Sequence, residues 1–243
     1  MTQDPRSRQP HATLNLASRR DKGLKIERLL KLEPRESGYR VLEIGTGAGG
    51  IAHYFATHPS LRCSVDAVDV QDNRQVTTDF RFQLVEGVDL PFPTGSFDVV
   101  ISNHVVEHVG DVSLQQRHIE EIARVMAAGG CGYLAVPNRW MVIEPHYRLA
   151  FLSWLPSAWR TGYLRLRGRG ANYDCEPLEL AQVEWLLSRT TLAFENVGVA
   201  AIRETLAIER QGSHLAELVS RIPDRALHAL RRAVPTLIYR LRR

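Results

Sequence analysis

The sequence holds no apolar run approaching the roughly 18 residues that a membrane-crossing helix needs. This argues against a helical membrane span as its organising feature. Residues 1–12 are polar and contain Pro5 and Pro10, with no apolar stretch of the kind a secretory signal carries. They are expected to form a disordered tail. Cysteine is scarce: Cys63, Cys131 and Cys175 are odd in number and far apart, giving neither a disulfide framework nor a zinc-type spacing. They read as reduced thiols of a cytoplasmic protein. There is no internal repeat, and no low-complexity block beyond the tail. Neither sign of charge dominates: 31 Lys and Arg stand against 27 Asp and Glu, for a net charge of +4. That balance is basic without calling for a nucleic-acid partner.

What is present is ordinary globular material, 44% hydrophobic and 24% charged over 243 residues. The length suits one α/β domain with an insertion. Helical spacing of Leu24, Ile26, Leu29, Leu30 and Leu32 marks a first helix, ended by Pro34. Strands are expected at 39–44, 64–70, 80–85, 97–102 and 131–136, with helices after the first and before the last. The continuous apolar run that follows Asp98 suits a buried parallel strand. Alternation of this kind predicts a doubly wound, Rossmann-like α/β sheet, mostly parallel, with helices on both faces. Ligands bind such sheets at the carboxyl ends of the strands, where Glu43, Asp69, Glu86, Ser102 and Asn103 fall. The aromatic-rich stretch 139–176 reads as a lid inserted after the fifth strand. A helix is expected at 178–188, strand-like segments at 194–199 and 200–208, and a basic helical segment over 211–243.

The densest chemical signal is Val41-Leu42-Glu43-Ile44-Gly45-Thr46-Gly47-Ala48-Gly49-Gly50, a strand that breaks into glycine. Two patterns fit it. Gly45, Gly47 and Gly50 satisfy G-x-G-x-x-G, the dinucleotide fingerprint of NAD-dependent oxidoreductases. Glu43, Gly45, Gly47 and Gly49 satisfy E-x-G-x-G-x-G, which resembles motif I of class I S-adenosylmethionine (SAM) dependent methyltransferases. Two further stretches arbitrate. Gly87-Val88-Asp89-Leu90-Pro91-Phe92-Pro93-Thr94-Gly95-Ser96-Phe97-Asp98-Val99-Val100 resembles their D-x-x-x-L-P-F-x-x-x-S-F-D-V-V segment, with Glu86 at the usual aspartate position. Glu120 to Gly130 resembles their E-x-x-R-V-L-K-P-G-G helix and turn, without the proline. Three ordered motifs over 41–138 identify a methyltransferase of the type 11 kind, with a seven-stranded sheet.

The resemblance implies SAM as cofactor and assigns residues to it. Gly45, Thr46, Gly47 and Gly49 lie against the methionine portion, and Glu43 contacts its amino-acid end or braces the loop. Asp69, beside Val70, accepts the ribose hydroxyls, with Asp72 as the alternative; two acceptor oxygens suit a diol. Glu86, Gly87 and Val88 flank the adenine, and Asn103 ends the fourth strand at the site.

His104-Val105-Val106-Glu107-His108 spells H-x-x-E-H, an inverted zinc-peptidase pattern whose position after the fourth strand argues against that chemistry. The segment also resembles E-x-x-E-H-V of ubiquinone-type O-methyltransferases, some of which use a metal there, with His104 replacing the first glutamate. No metal is assigned: Glu107 and His108 are read as tying the turn to the sheet. A hydroxyl acceptor calls for a general base, and histidine suits that near neutral pH; His104 and His146 are the candidates. No Asn-Pro-Pro-Tyr-type motif follows the fourth strand, and no cysteine is placed like an RNA-methylating nucleophile. The expected acceptor is therefore an oxygen of a small-molecule, glycan or lipid-linked substrate. The competing class is a non-catalytic SAM-fold binding module. Arginines around Leu227, Leu230, Val234, Leu237, Ile238 and Leu241 suggest a basic segment lying on an anionic membrane surface, at its inner face, or else a helix docked on the core.

Overall fold

The computed structural model describes residues 16–144, 147–229, 231 and 234–243. The expected N-terminal tail at 1–12 and the candidate His146 lie outside the described residues. In chain order the elements are α1 (Leu16–Leu30), β1 (Tyr39–Ile44), α2 (Gly50–Ala56), β2 (Cys63–Asp69), β3 (Arg81–Leu84), β4 (Phe97–Asn103), α3 (Val112–Val125) and β5 (Met126–Pro137). There follow β6 (Ile143–Glu144), β7 (Leu149–Ala150), α4 (Ser157–Leu166), α5 (Leu180–Ser188), β8 (Ala193–Asn196), α6 (Gly198–Glu209), α7 (His214–Arg221), α8 (Asp224–Ala229) and β9 (Thr236–Arg242). Seven strands form one sheet in the order β3-β2-β1-β4-β5-β9-β8. Strands β1 to β5 are mutually parallel, and β9 runs antiparallel to both β5 and β8.

Side chains alternate across the sheet, so each face builds its own core. On one face Leu42, Val100, Leu134 and Tyr239 pack with Ile119 and Ile122 of α3 and Val183 and Leu187 of α5. On the other, Val41, Val99, Ile101 and Ile238 pack with Ile26 of α1, Phe55 of α2 and Ala201 of α6. Glu43 lies between Leu42 and Ile44 in β1 and therefore points to the α1 and α2 side. That placement gives it its partners in the site.

Two expectations are corrected. Residues 236–242 are not helical: β9 is a strand in the sheet interior, with Leu237, Tyr239 and Leu241 fully buried. The apolar residues of 227–241 fit spacings of three and four, but beyond Pro235 the same residues also alternate, and the strand period wins because it seats Leu237, Tyr239 and Leu241 on one covered face. The supposed apolar stripe for a membrane surface is thus largely part of the core. Residues 200–208, read as strand-like, are helix α6, which packs on α1. Isolated Val and Ile residues misled the reading there, where Ala, Glu and Leu favour helix.

The stretch after β5, read from the sequence as a lid, folds around a small core of its own. The hairpin β6–β7 and helix α4 surround a small separate core of Tyr147, Leu149, Leu152 and Leu164. Trp140, Phe151 and Trp154 stack edge to face at 5.6 and 5.1 Å and remain exposed.

Candidate active site

The carboxyl ends of β1, β2 and β4 open into one cleft of about 1100 Å3. Its floor is the turn from β1 into α2. Gly45 has φ +75°, and a Cβ there would meet Val105 Cγ2 at 2.4 Å. Only glycine brings the backbone this close. The Gly45 N–H donates to Val68 O at 2.8 Å, which ties the turn to β2. Gly49, at φ +85°, caps α2; its Cβ would lie 2.6 Å from Val76 O, so it packs against the segment after β2 and does not line the cleft. Of the residues assigned to the cofactor, Glu43, Gly45, Thr46, Gly47, Asp69, Val70, Glu86, Gly87, Val88 and Asn103 all line this one cleft.

Glu43 is buried, and its Oε2 accepts from the Ala52 N–H of α2 at 2.9 Å. Burial pushes its carboxyl up to about 8, against the lowering effects of the Ala52 hydrogen bond and of Arg19. Asp69 holds the floor: Oδ2 accepts from Gly47 N–H at 2.8 Å and Oδ1 from Val70 N–H at 2.7 Å. The alternative Asp72 does not line the cleft and forms a two-point pair with Arg74 at 2.8 Å on each arm. The side-chain bonds from Arg74 hold it at about 2.

Helix α1 supplies what the motifs did not show. Arg19 and Lys22, one turn apart, line the cleft with Glu43. Burial draws the Arg19 guanidinium below its ordinary range, with Glu43 opposing. Burial, then Lys25 and Arg19, pull the Lys22 ammonium down to about 7. These two basic side chains and the Glu43 carboxyl line the part of the cleft where the resemblance places the amino-acid end of SAM. The available sequence signal was the i, i+3, i+6 series Arg19, Lys22, Lys25 on the stripe that also buries Ile26 and Leu29.

At the end of β4 the chain turns sharply. His104 has φ +60°, a left-handed conformation uncommon for a residue with a Cβ, and its N–H donates to Ala135 O at 2.9 Å. The His104 ring lines the cleft, with Nδ1 3.4 Å from Glu107 Oε1. Glu107 is buried, and His108 Nε2 lies 3.8 Å from the same oxygen. Burial alone would raise the Glu107 carboxyl; His104 and then His108 outweigh it and hold it below the ordinary carboxylate range. Asn103 Oδ1 is buried with no hydrogen-bond partner among the described residues, an acceptor suited to a ligand donor. Beneath, Ser102 Oγ meets His118 Nε2 at 3.0 Å, and burial lowers His118 to about 4, so it is neutral near pH 7. The lid contributes Tyr147, Arg148 and Arg169 to the rim.

This order, with six parallel strands and one antiparallel strand, β9, slotted between β5 and β8, departs from the all-parallel dinucleotide arrangement. With a glycine floor and acids at the ends of β1 and β2, it has the Rossmann-like fold seen in SAM-dependent methyltransferases. Residues 42–134 match the methyltransferase domain family. The match lies in that segment, and the proteins similar to it are named SAM-dependent methyltransferases. It is 34% identical over 114 residues to a Mycobacterium tuberculosis protein named "Probable S-adenosylmethionine-dependent methyltransferase", covering 45% of this chain and 39% of that one. It is 35% identical over 102 residues to the fatty-acid O-methyltransferase of Mycolicibacterium smegmatis, covering 38% and 35%. The matches thus span well under half the length of these curated relatives. A solved SAM-dependent methyltransferase from Mesorhizobium loti shares the fold, with a TM-score of 0.56, 15% identity, and coverage of 94% of this chain and 100% of that one.

Proposed function

We propose that this chain transfers the methyl group of SAM to an oxygen on a small-molecule, glycan or lipid-linked acceptor, with His104 as general base. The observation that carries the reading is the His104–Glu107 pair: a histidine in a left-handed turn at the cleft wall, with a buried carboxylate behind its Nδ1. With Nδ1–H directed at Glu107, Nε2 is the nitrogen that takes a proton. The acceptor oxygen attacks the methyl carbon as the carbon–sulfur bond breaks, S-adenosylhomocysteine leaves, and the hydroxyl proton passes to His104. Glu107 then stabilises the imidazolium. Alignment of the two substrates supplies the rest of the rate. A cleft of about 1100 Å3 exceeds the usual range for one small ligand, which fits cofactor and acceptor together.

The test is transfer of tritium from methyl-labelled SAM into soluble and membrane extracts. Wild type is expected to label an acceptor. His104→Ala is expected to lose at least about 100-fold in rate while its affinity for S-adenosylhomocysteine stays within about threefold. Undiminished labelling by His104→Ala removes the proposed base. A wild-type chain that binds S-adenosylhomocysteine and labels no fraction favours the non-catalytic binding module.

A further inference from the structure

We propose that His108, Asp174 and Cys175 form a zinc-binding site where the lid meets the cleft wall. His108 Nδ1, an Asp174 carboxylate oxygen and Cys175 Sγ all lie within 4.8 Å of one another. The sulfur is 3.7 Å from His108 Nδ1 and 3.6 Å from Asp174 Oδ1. Zinc bonds of about 2.3 Å to sulfur and about 2.0–2.1 Å to nitrogen or oxygen, at the tetrahedral angle, set two donor atoms about 3.6 Å apart. The sulfur's distances to both neighbours already match that spacing. One imidazole, one thiol and one carboxylate select zinc over magnesium or calcium, which take oxygen ligands. Three protein ligands leave a fourth position for water or a substrate oxygen.

The surroundings point the same way. The two nitrogens of His108 face different groups: Nδ1 the Cys175 sulfur, Nε2 the Glu107 carboxylate at 3.8 Å. A carboxylate behind a ligating histidine is the usual orienting contact of a zinc site. Glu107 is 1% exposed, and beyond the His104 and His108 nitrogens at 3.4 and 3.8 Å from Oε1 its oxygens meet no other residue's donor among the described residues. A dication beside His108 offsets that buried negative charge. Asp174 Oδ1 accepts from the Tyr147 hydroxyl at 2.9 Å, which fixes the second ligand. Cys175 is buried, and Asp174, Glu107 and Glu144 are the acids around it. On binding, the thiol proton goes to solvent and the thiolate takes the metal, with no change of oxidation state. The cation then bridges the turn after β4 to the segment that closes the lid.

The experiment uses the full chain and reads metal, not methyl transfer, so it stands apart from the proposed activity. Protein stripped with chelator is titrated with cobalt(II) and separately with zinc. One equivalent of each is expected to bind, cobalt giving the near-ultraviolet thiolate charge-transfer band and the strong visible bands of a four-coordinate site. Cys175→Ser is expected to lose the charge-transfer band, and Asp174→Asn to weaken zinc binding at least about tenfold, each with a cooperative melt that shows the fold intact. No charge-transfer band in wild type, or a band that survives Cys175→Ser, overturns the assignment. Where Cys175→Ser does not fold, the wild-type titration decides.

Discussion

Glu43→Gln isolates the cost of keeping a carboxyl inside the floor of the cleft. Glu43 is fully buried and raised from 4.5 to about 8, chiefly by burial. In the fold it is neutral through most of that interval, whereas in the unfolded chain it ionises above 4.5. A raised carboxyl contributes stability that is present below 4.5 and lost as pH climbs through 8. Each pH unit in that window costs up to about 1.4 kcal/mol, so between pH 5 and pH 8, with the curve flattening at both ends, wild type loses about 3.5 kcal/mol from this group. Glutamine keeps an acceptor for the Ala52 N–H, bonded to Glu43 at 2.9 Å, and cannot ionise. Lys22, drawn down to about 7, acts with the opposite sign: its contribution is present above 10.5 and lost as pH falls through 7. Both proteins carry it, so the difference between them reports Glu43. At about 2–4 °C per kcal/mol for a chain of this size, the melting temperature of Glu43→Gln minus that of wild type should grow by roughly 7–14 °C from pH 5 to pH 8. Differential scanning calorimetry without cofactor measures it. Parallel melting curves across that range would refute the assignment of a buried, raised carboxyl.

Gly49→Ala places a methyl group 2.6 Å from Val76 O at φ +85°, and chemical denaturation should show a loss of about 1–3 kcal/mol; since Gly49 does not line the cleft, cofactor affinity of the folded protein should change less than for Gly45→Ala. Leu237→Ala empties a fully buried position in β9 and should cost about 2–5 kcal/mol, read by urea unfolding; a loss below about 1 kcal/mol would contradict a central strand there.

The fold was legible where period and punctuation agreed. β1 and β5 hold apolar runs bounded by Gly and Pro, and β1 falls on 39–44 as read. The gathering of Glu43, Asp69, Glu86 and Asn103 at one cleft follows from strand direction alone, since parallel strands present their ends together. What was not legible depended on contacts across long separations. Leu237, Ile238 and Leu241 satisfy helical and strand spacing alike, and only their pairing with β5 and β8 decides between them. The part played by Arg19 and Lys22 was hidden because basic residues on a first helix read equally well as a solvated face. The nearness of Cys175 to His108 leaves no trace in spacing at all, because it arises from the return of the lid onto the turn after β4.

The place of β9 in the sheet orders the assembly of the protein. Among the described residues, strand β8 is paired with β9 and with no other strand of the sheet. It cannot enter the sheet until residues 236–242 have been made and have reached the exposed edge of β5. During synthesis, β1 to β5 can pair while that edge still stands open. The open edge is a template on which a second nascent chain can dock. A variant that weakens β9 should therefore announce itself first as insoluble product in expression, with the purified soluble fraction keeping its cofactor cleft.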